Sequence, residues 1–255
     1  MAPPWGWAVA GALLGVVLAL VFFAPASWLS RFVKQASNGQ VQLVEPRGTV
    51  WTGSGRLLLS GGSGSRDSAA LPGSIDWRLR PGWLTLKVQL SAECCTPAPL
   101  KALVVPRLSG STLQLADGTS QWPAALLTGL GTPWNTVQAE GTLSVATQGL
   151  SLTWNAGRMA MAGRAELTAL ALSSRLSTLK PMGSYRVTLN GGDAAVLDLS
   201  TLEGSLQLSG SGRWVGSRLR FQGVASAAPE HEAALANLLN IIGQRQGMRS
   251  IITLG

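Results

Sequence analysis

Between Trp5 and Ala24 the chain runs for 20 residues without a charge. A helix of that length rises about 30 Å, the hydrocarbon thickness of a bilayer. Trp5 and Trp7 lie at one end of the run and Trp28 lies beyond the other. Indole rings favour the headgroup layer, so these three residues are expected at the membrane interface. A cleaved signal peptide is the rival reading, with Ala24-Pro25-Ala26 as a small-residue cleavage site. Residues 1–4 contain no Lys or Arg, however, and the run is longer than an ordinary signal-peptide core. The sequence is therefore read as a tail (1–4), a transmembrane anchor (5–24) that places the bilayer among the chain's partners, and a juxtamembrane segment (25–36). Arg31 and Lys34 follow the run and no basic side chain precedes it. Taken alone, the positive-inside rule would turn the body toward the cytoplasm.

The remainder alternates with period two. Ile75, Trp77 and Leu79 are separated by Asp76 and Arg78, and Leu84, Leu86, Val88 and Leu90 by Thr85, Lys87 and Gln89. The pattern returns at Leu150, Leu152 and Trp154, at Tyr185, Val187 and Leu189, at Leu206 and Leu208, and at Leu219 and Phe221. One apolar and one polar face per strand is the pattern of an antiparallel sheet with a solvated side. Turn residues punctuate the runs, as in Arg80-Pro81-Gly82 and Asn190-Gly191-Gly192-Asp193. Strands tend to open with Gly, then Ser or Thr, then an apolar residue, which hints at a repeated hairpin unit. The repeat breaks at Trp122-Pro123-Ala124-Ala125-Leu126-Leu127, which reads as a short helix with Pro near its start. This gives an N-terminal β half (37–120), a helical connector (121–136) and a C-terminal β half (137–225). The expected fold is mainly β: a curved antiparallel sheet or partial barrel of short strands, with a C-terminal amphipathic helix.

That helix falls in the last segment (226–255). Pro229 suits a first turn, Glu230 and Glu232 suit the positive end of the helix dipole, and Arg245 comes near the other end. Leu235, Leu238, Leu239 and Ile242 share a stripe. Such stripes usually pack on a core, and a partner-binding face is the alternative. Gly243 or Gly247 would stop the helix, and Ser250–Leu254, with Ile251 and Ile252, is expected to rejoin the sheet edge. The helix stripe and this strand are the candidate partner-binding surfaces.

Chemistry is sparse. The chain carries 20 basic and 12 acidic residues, for a net charge of +8. No basic cluster is interleaved with aromatics, so nucleic acid is not an expected partner, and the charge suits a surface near anionic lipid. The single histidine, His231, sits beside two glutamates, but neighbouring positions on a helix point apart. No metal-binding, nucleophile-elbow or phosphate-loop motif occurs, so neither catalysis nor a cofactor is expected. Cys94 and Cys95 are adjacent. Ordinary disulfide spacing disfavours a bridge between neighbours, so they are expected as small, partly buried residues at a strand end, with a vicinal disulfide as the lesser alternative.

Three stretches carry a family resemblance: Gly48-Thr49-Val50-Trp51-Thr52-Gly53-Ser54-Gly55, Gly131-Thr132-Pro133-Trp134-Asn135-Thr136, and the tail from Ala233 through Gly243 to Arg249-Ser250-Ile251-Ile252-Thr253. Together they resemble the type II secretion system protein N family. The resemblance implies a single-pass inner-membrane protein with residues 1–4 in the cytoplasm and the body in the periplasm, against the charge signal at Arg31 and Lys34. It also implies an accessory structural role in export across the outer membrane, with the secretin and inner-membrane platform proteins as partners and no catalytic residues. The Gly-Thr-Val-Trp and Leu71-Pro72-Gly73-Ser74 strand style is also similar to AsmA-like proteins, which implies a groove with a lipid ligand.

Overall fold

The computed structural model describes residues 5–62, 64–155, 158–216 and 218–255. Two helices open the chain, α1 (Trp5–Phe22) and α2 (Ala26–Ala36). Eight strands follow: β1 (Val41–Gly48), β2 (Thr52–Ser60), β3 (Ser68–Ala70), β4 (Ile75–Gly82), β5 (Thr85–Ala92), β6 (Leu100–Arg107), β7 (Gly110–Leu115) and β8 (Gly118–Pro123). A 3-10 helix (Ala124–Leu130) and α3 (Trp134–Val137) lead into β9 (Glu140–Asn155), β10 (Arg158–Ser173), β11 (Gly183–Gly192), β12 (Val196–Gly204), β13 (Leu206–Val215) and β14 (Arg218–Ala227). The chain closes with α4 (Glu232–Ile242), β15 (Gln244–Gln246) and β16 (Arg249–Leu254).

All the described strands form a single antiparallel sheet of 16, and their order nearly follows the chain: β1-β2-β4-β5-β6-β7-β9-β10-β11-β12-β13-β14-β16-β15. Strand β3 adds to β2 and strand β8 to β9. The path does not close on itself, so the sheet is open, in line with the mainly β antiparallel fold expected. The two β halves expected from sequence share this sheet, because β7 and β8 both pair with β9. The expected connector (121–136) is corrected at its start: residues 121–123 end strand β8, and the 3-10 helix and α3 lie beyond them, the helical turn starting after Pro123, which has no N–H to give.

Strands β9 and β10 are longer than the alternation suggested. Each has 16 residues, with a register shift between Ala162 and Arg164. Gly149 (φ +55°) and Gly163 (φ +83°) take up that shift in the left-handed region, so the ladder continues through a bulge.

The two ends of the sheet differ. Short turns join β1–β2, β4–β5, β6–β7, β9–β10, β11–β12 and β13–β14 at one end. The longer connections, including every helix after α2, gather at the other. There they cover the apolar face. Leu143, Ala169, Tyr185, Leu206 and Ala225 meet Leu235, Leu238 and Leu239 of α4, all buried. A second cluster joins Leu71, Ile75, Ala92, Cys95 and Leu126. Trp122 packs against both clusters, and the 3-10 helix contributes Ala124 to one and Leu126 to the other. That helix lies flush on the sheet only because of Gly129: a Cβ there would stand 2.5 Å from the Leu59 carbonyl oxygen and 2.7 Å from the Ala69 nitrogen. The opposite face is polar, with Arg186 and Arg164 both ion-paired to Glu166 at 2.9 Å.

Cys94 and Cys95 correct the expectation of free thiols. They are joined by a disulfide in the β5–β6 connection, where the turn brings the two sulfurs together, and Cys95 is buried in the second cluster.

Candidate functional site

Helix α1 is long and apolar enough to cross a membrane, and none of its described residues is buried against the body. Trp5 and Trp7 are exposed at its start, and Trp28 is half-exposed in α2. The β1–β2 turn grips the far end of α1. The Trp51 indole Nε1 donates to the Val21 carbonyl oxygen at 2.6 Å, and the Val50 amide donates to Ala24 at 2.8 Å. Pro25 forms a bridge with Thr49, and the buried Trp77 donates through Nε1 to the Thr49 carbonyl at 3.1 Å. The Gly48–Gly53 segment is therefore a joint that ties an apolar helix to a sheet through backbone carbonyls. Sequence reading marked Trp51 as part of a family pattern and not as a joint. Its partner lies 30 residues away, and no local signal announces it.

Beside the joint, α2 overhangs the apolar face of β4–β6. The space between them is a cleft of about 620 Å³, lined by Trp28 and Phe32 of α2, Trp51, and Leu79, Leu86 and Val104 of the sheet. Its walls are almost wholly apolar. The cleft opens at the hairpin end, away from the filled core, so the sheet face is covered at one end and accessible at the other. Sequence reading did not foresee the cleft, because α2 was taken as a plain connecting segment.

The two sheet edges are treated differently. Helix α2 shields β1: Ser30 Oγ donates to the Leu43 carbonyl at 2.8 Å, capping an edge acceptor. At the other edge β15 pairs only with Arg249, Ser250 and Ile251. Ile252, Thr253 and Leu254 of β16 are thus paired on one side, to β14, among the described residues. Of the candidate partner-binding residues, Leu235, Leu238 and Leu239 are buried in the core, and Ile242 and Ile252 pack partly buried against it. Ile251 is half-buried, one position out of phase with them along β16. Ser250 Oγ donates to the Leu239 carbonyl at 2.6 Å, satisfying an acceptor in the last turn of α4. Arg245 lies in β15, not in the helix, because Gly243 ends α4 in an extended conformation. From there it reaches back to Glu232 in the first turn at 2.6 Å.

His231 precedes α4, with Nδ1 3.9 Å from Glu230, beyond hydrogen-bond reach. Among the described residues no group of three or more His, Cys, Asp or Glu side chains converges. Burial pushes the phenol of Tyr185 well above its ordinary range, and its hydroxyl donates to the Leu206 carbonyl at 3.1 Å.

No curated protein and no solved structure matches the chain. The family model for type II secretion system protein N matches residues 39–252, from before β1 into β16. That span takes in the sheet side of the joint (Thr49–Trp51), the sheet apart from its last residues, and α4, but not α1 or α2. The chain belongs to the type II secretion system protein N family.

Proposed function

We propose that this chain is an accessory structural component of the type II secretion apparatus, held in the bacterial inner membrane by α1 with the sheet in the periplasm. The observation that carries the reading is the family match over residues 39–252, which implies association with the secretion machinery. Three features support the finer placement. The helix α1 is apolar throughout, and none of its described residues is buried. The joint at Val21–Trp51 fixes the sheet close to where that helix ends. The Cys94–Cys95 disulfide suits an oxidising compartment.

In this reading the protein acts by docking. The half-paired β16 edge at Ile252–Leu254 accepts a strand from the secretin or from an inner-membrane platform protein, and the α4 end of the sheet supplies the adjoining surface. A photo-crosslinker at Thr253, in cells exporting a type II substrate, should capture a secretion component. Crosslinks to none, together with unimpaired secretion after deletion, would sink the reading. A C-terminal alkaline phosphatase fusion tests orientation, and an inactive fusion places the body in the cytoplasm.

A second reading rests on the apolar cleft under α2. Its volume of about 620 Å³ and its aliphatic and aromatic walls suit an acyl chain, as in a lipid-handling protein. Filling it with Leu86→Trp should lower the phospholipid retained by the purified chain in native mass spectrometry. An unchanged lipid count would reject this alternative.

A further inference from the structure

The hairpin end of the sheet carries side chains that turn chemistry does not favour. Strands β4 and β5 are joined by the two-residue loop Trp83-Leu84, between the paired Gly82 and Thr85. Two-residue loops favour Asn-Gly or Asp-Gly, because their central residues take positive φ. Leu84 instead adopts φ +63°, a costly conformation for a bulky side chain. Trp83 is 92% exposed and Leu84 72% exposed, so neither is compensated by packing. The next tip, Leu108-Ser109 between β6 and β7, leaves Leu108 fully exposed. Met159 is 57% exposed at the start of β10, and Val215 is half-exposed at the end of β13.

Charge follows the same end. From three residues before to three residues after each of these four turns there is no acidic residue, while Arg80, Lys87, Arg107, Arg158, Arg213 and Arg218 all fall within those windows and are exposed. The β11–β12 turn is the exception, carrying the acidic Asp193 and no large apolar side chain. The β1–β2 turn, at this same end, is the one that holds the end of α1. Apolar tips, a ring of cations and the exit point of the apolar helix thus coincide at one end of the sheet.

We infer that this hairpin rim is a second membrane contact: the tips at Trp83-Leu84 and Leu108 enter the headgroup layer of the bilayer that holds α1, and the flanking Arg and Lys side chains bind anionic lipid. Exposed apolar tips supply the insertion and cations the attraction, a pairing that gives stable attachment where either alone is weak. The sheet then stands on the membrane by its hairpins, with α4 and the long connections directed away. The inference rests on α1 being a membrane anchor.

The test uses the full chain in nanodiscs of phosphatidylcholine, with or without phosphatidylglycerol. The native cysteines are paired with each other, so a nitroxide can be placed at Leu108→Cys, at Leu14→Cys in α1, or at Thr178→Cys in the β10–β11 connection. Oxygen and nickel accessibilities should place the Leu14 label in hydrocarbon, the Leu108 label in the headgroup layer of anionic discs, and the Thr178 label in water. Arg107→Gln with Arg158→Gln should lower the docked population by about tenfold. On the unlabelled chain, amide exchange at 82–85 and 107–110 should slow on anionic discs. A Leu108 label in water while the Leu14 label is immersed overturns the inference and leaves the anchor standing. A Leu108 signal indifferent to lipid charge and to the Arg substitutions also overturns it. A Leu14 label in water overturns the anchor and the inference with it.

Discussion

Trp51 holds Val21 across 30 residues of chain: its indole nitrogen donates, at 2.6 Å, to a carbonyl in the last turn of α1. The last four carbonyls of a helix lack intrahelical donors, so this bond completes α1 as well as fixing the angle at which the sheet departs. Trp51→Phe keeps the ring and removes the donor. We expect a loss of about 1 kcal/mol, faster amide exchange at Val50, and looser coupling between helix and sheet by spin-label distance measurement. Unchanged distances would show that the Pro25–Thr49 bridge suffices.

Leu239 is wholly buried between α4 and the sheet. Leu239→Ala should destabilise the chain by about 2–5 kcal/mol in chemical unfolding, because the cavity left behind adds to the lost burial. Ile251→Ala, one position out of phase with the core-facing Ser250 and Ile252 of β16, should cost clearly less. Equal losses would mean that α4 is not the covering element the packing describes.

Tyr185 is the only tyrosine in the chain, so its ionisation can be followed by absorbance without interference. Burial raises its folded-state pKa above the ordinary value of 10.0. The stability it confers is therefore complete below about pH 10 and declines as pH rises from there toward the folded-state pKa. Tyrosinate should appear only as the native chain unfolds. Tyr185→Phe should cost about 1 kcal/mol at neutral pH through the lost bond to Leu206, and should then lessen the alkaline fall in stability. Tyrosinate forming near pH 10 in the folded protein would contradict the burial.

Gly129→Val should separate the 3-10 helix from β2 and β3, since its Cβ would meet backbone atoms that cannot turn aside. The expected result is a loss of at least about 1–3 kcal/mol and protease cleavage within 124–136. Full resistance to cleavage would show that the helix can lift without losing its hold on Trp122.

How much of this the sequence revealed depended on range. Ile75-Trp77-Leu79 and Leu206-Leu208 show their strands because the inward face repeats every second residue, and Pro229 with Glu232 announces α4 because helix starts are chemically local. The bulge at Gly149 and Gly163 left no mark in the alternation, because a glycine can bend a strand without ending it. Arg245 misled because Gly243 turned it from helix into strand. The joint and the cleft depend on segments distant in sequence coming together, Val21 bonded to Trp51 and Phe32 facing the same cleft as Leu86, and no periodicity encodes such meetings. The pairing of Cys94 with Cys95 depends on how one connection turns, which spacing alone does not fix.

The near match between strand order and chain order has a consequence for how the protein is made. Each strand from β4 to β14 finds its partner in material already delivered, so the sheet can lengthen as the chain emerges, with no early strand waiting for a late one. The α4 segment arrives after β14, and until it does the apolar face around Leu143, Tyr185 and Leu206 lies bare. A chain halted before residue 232 would therefore carry the ladder only as far as β14, with an unroofed face, a ready substrate for chaperones.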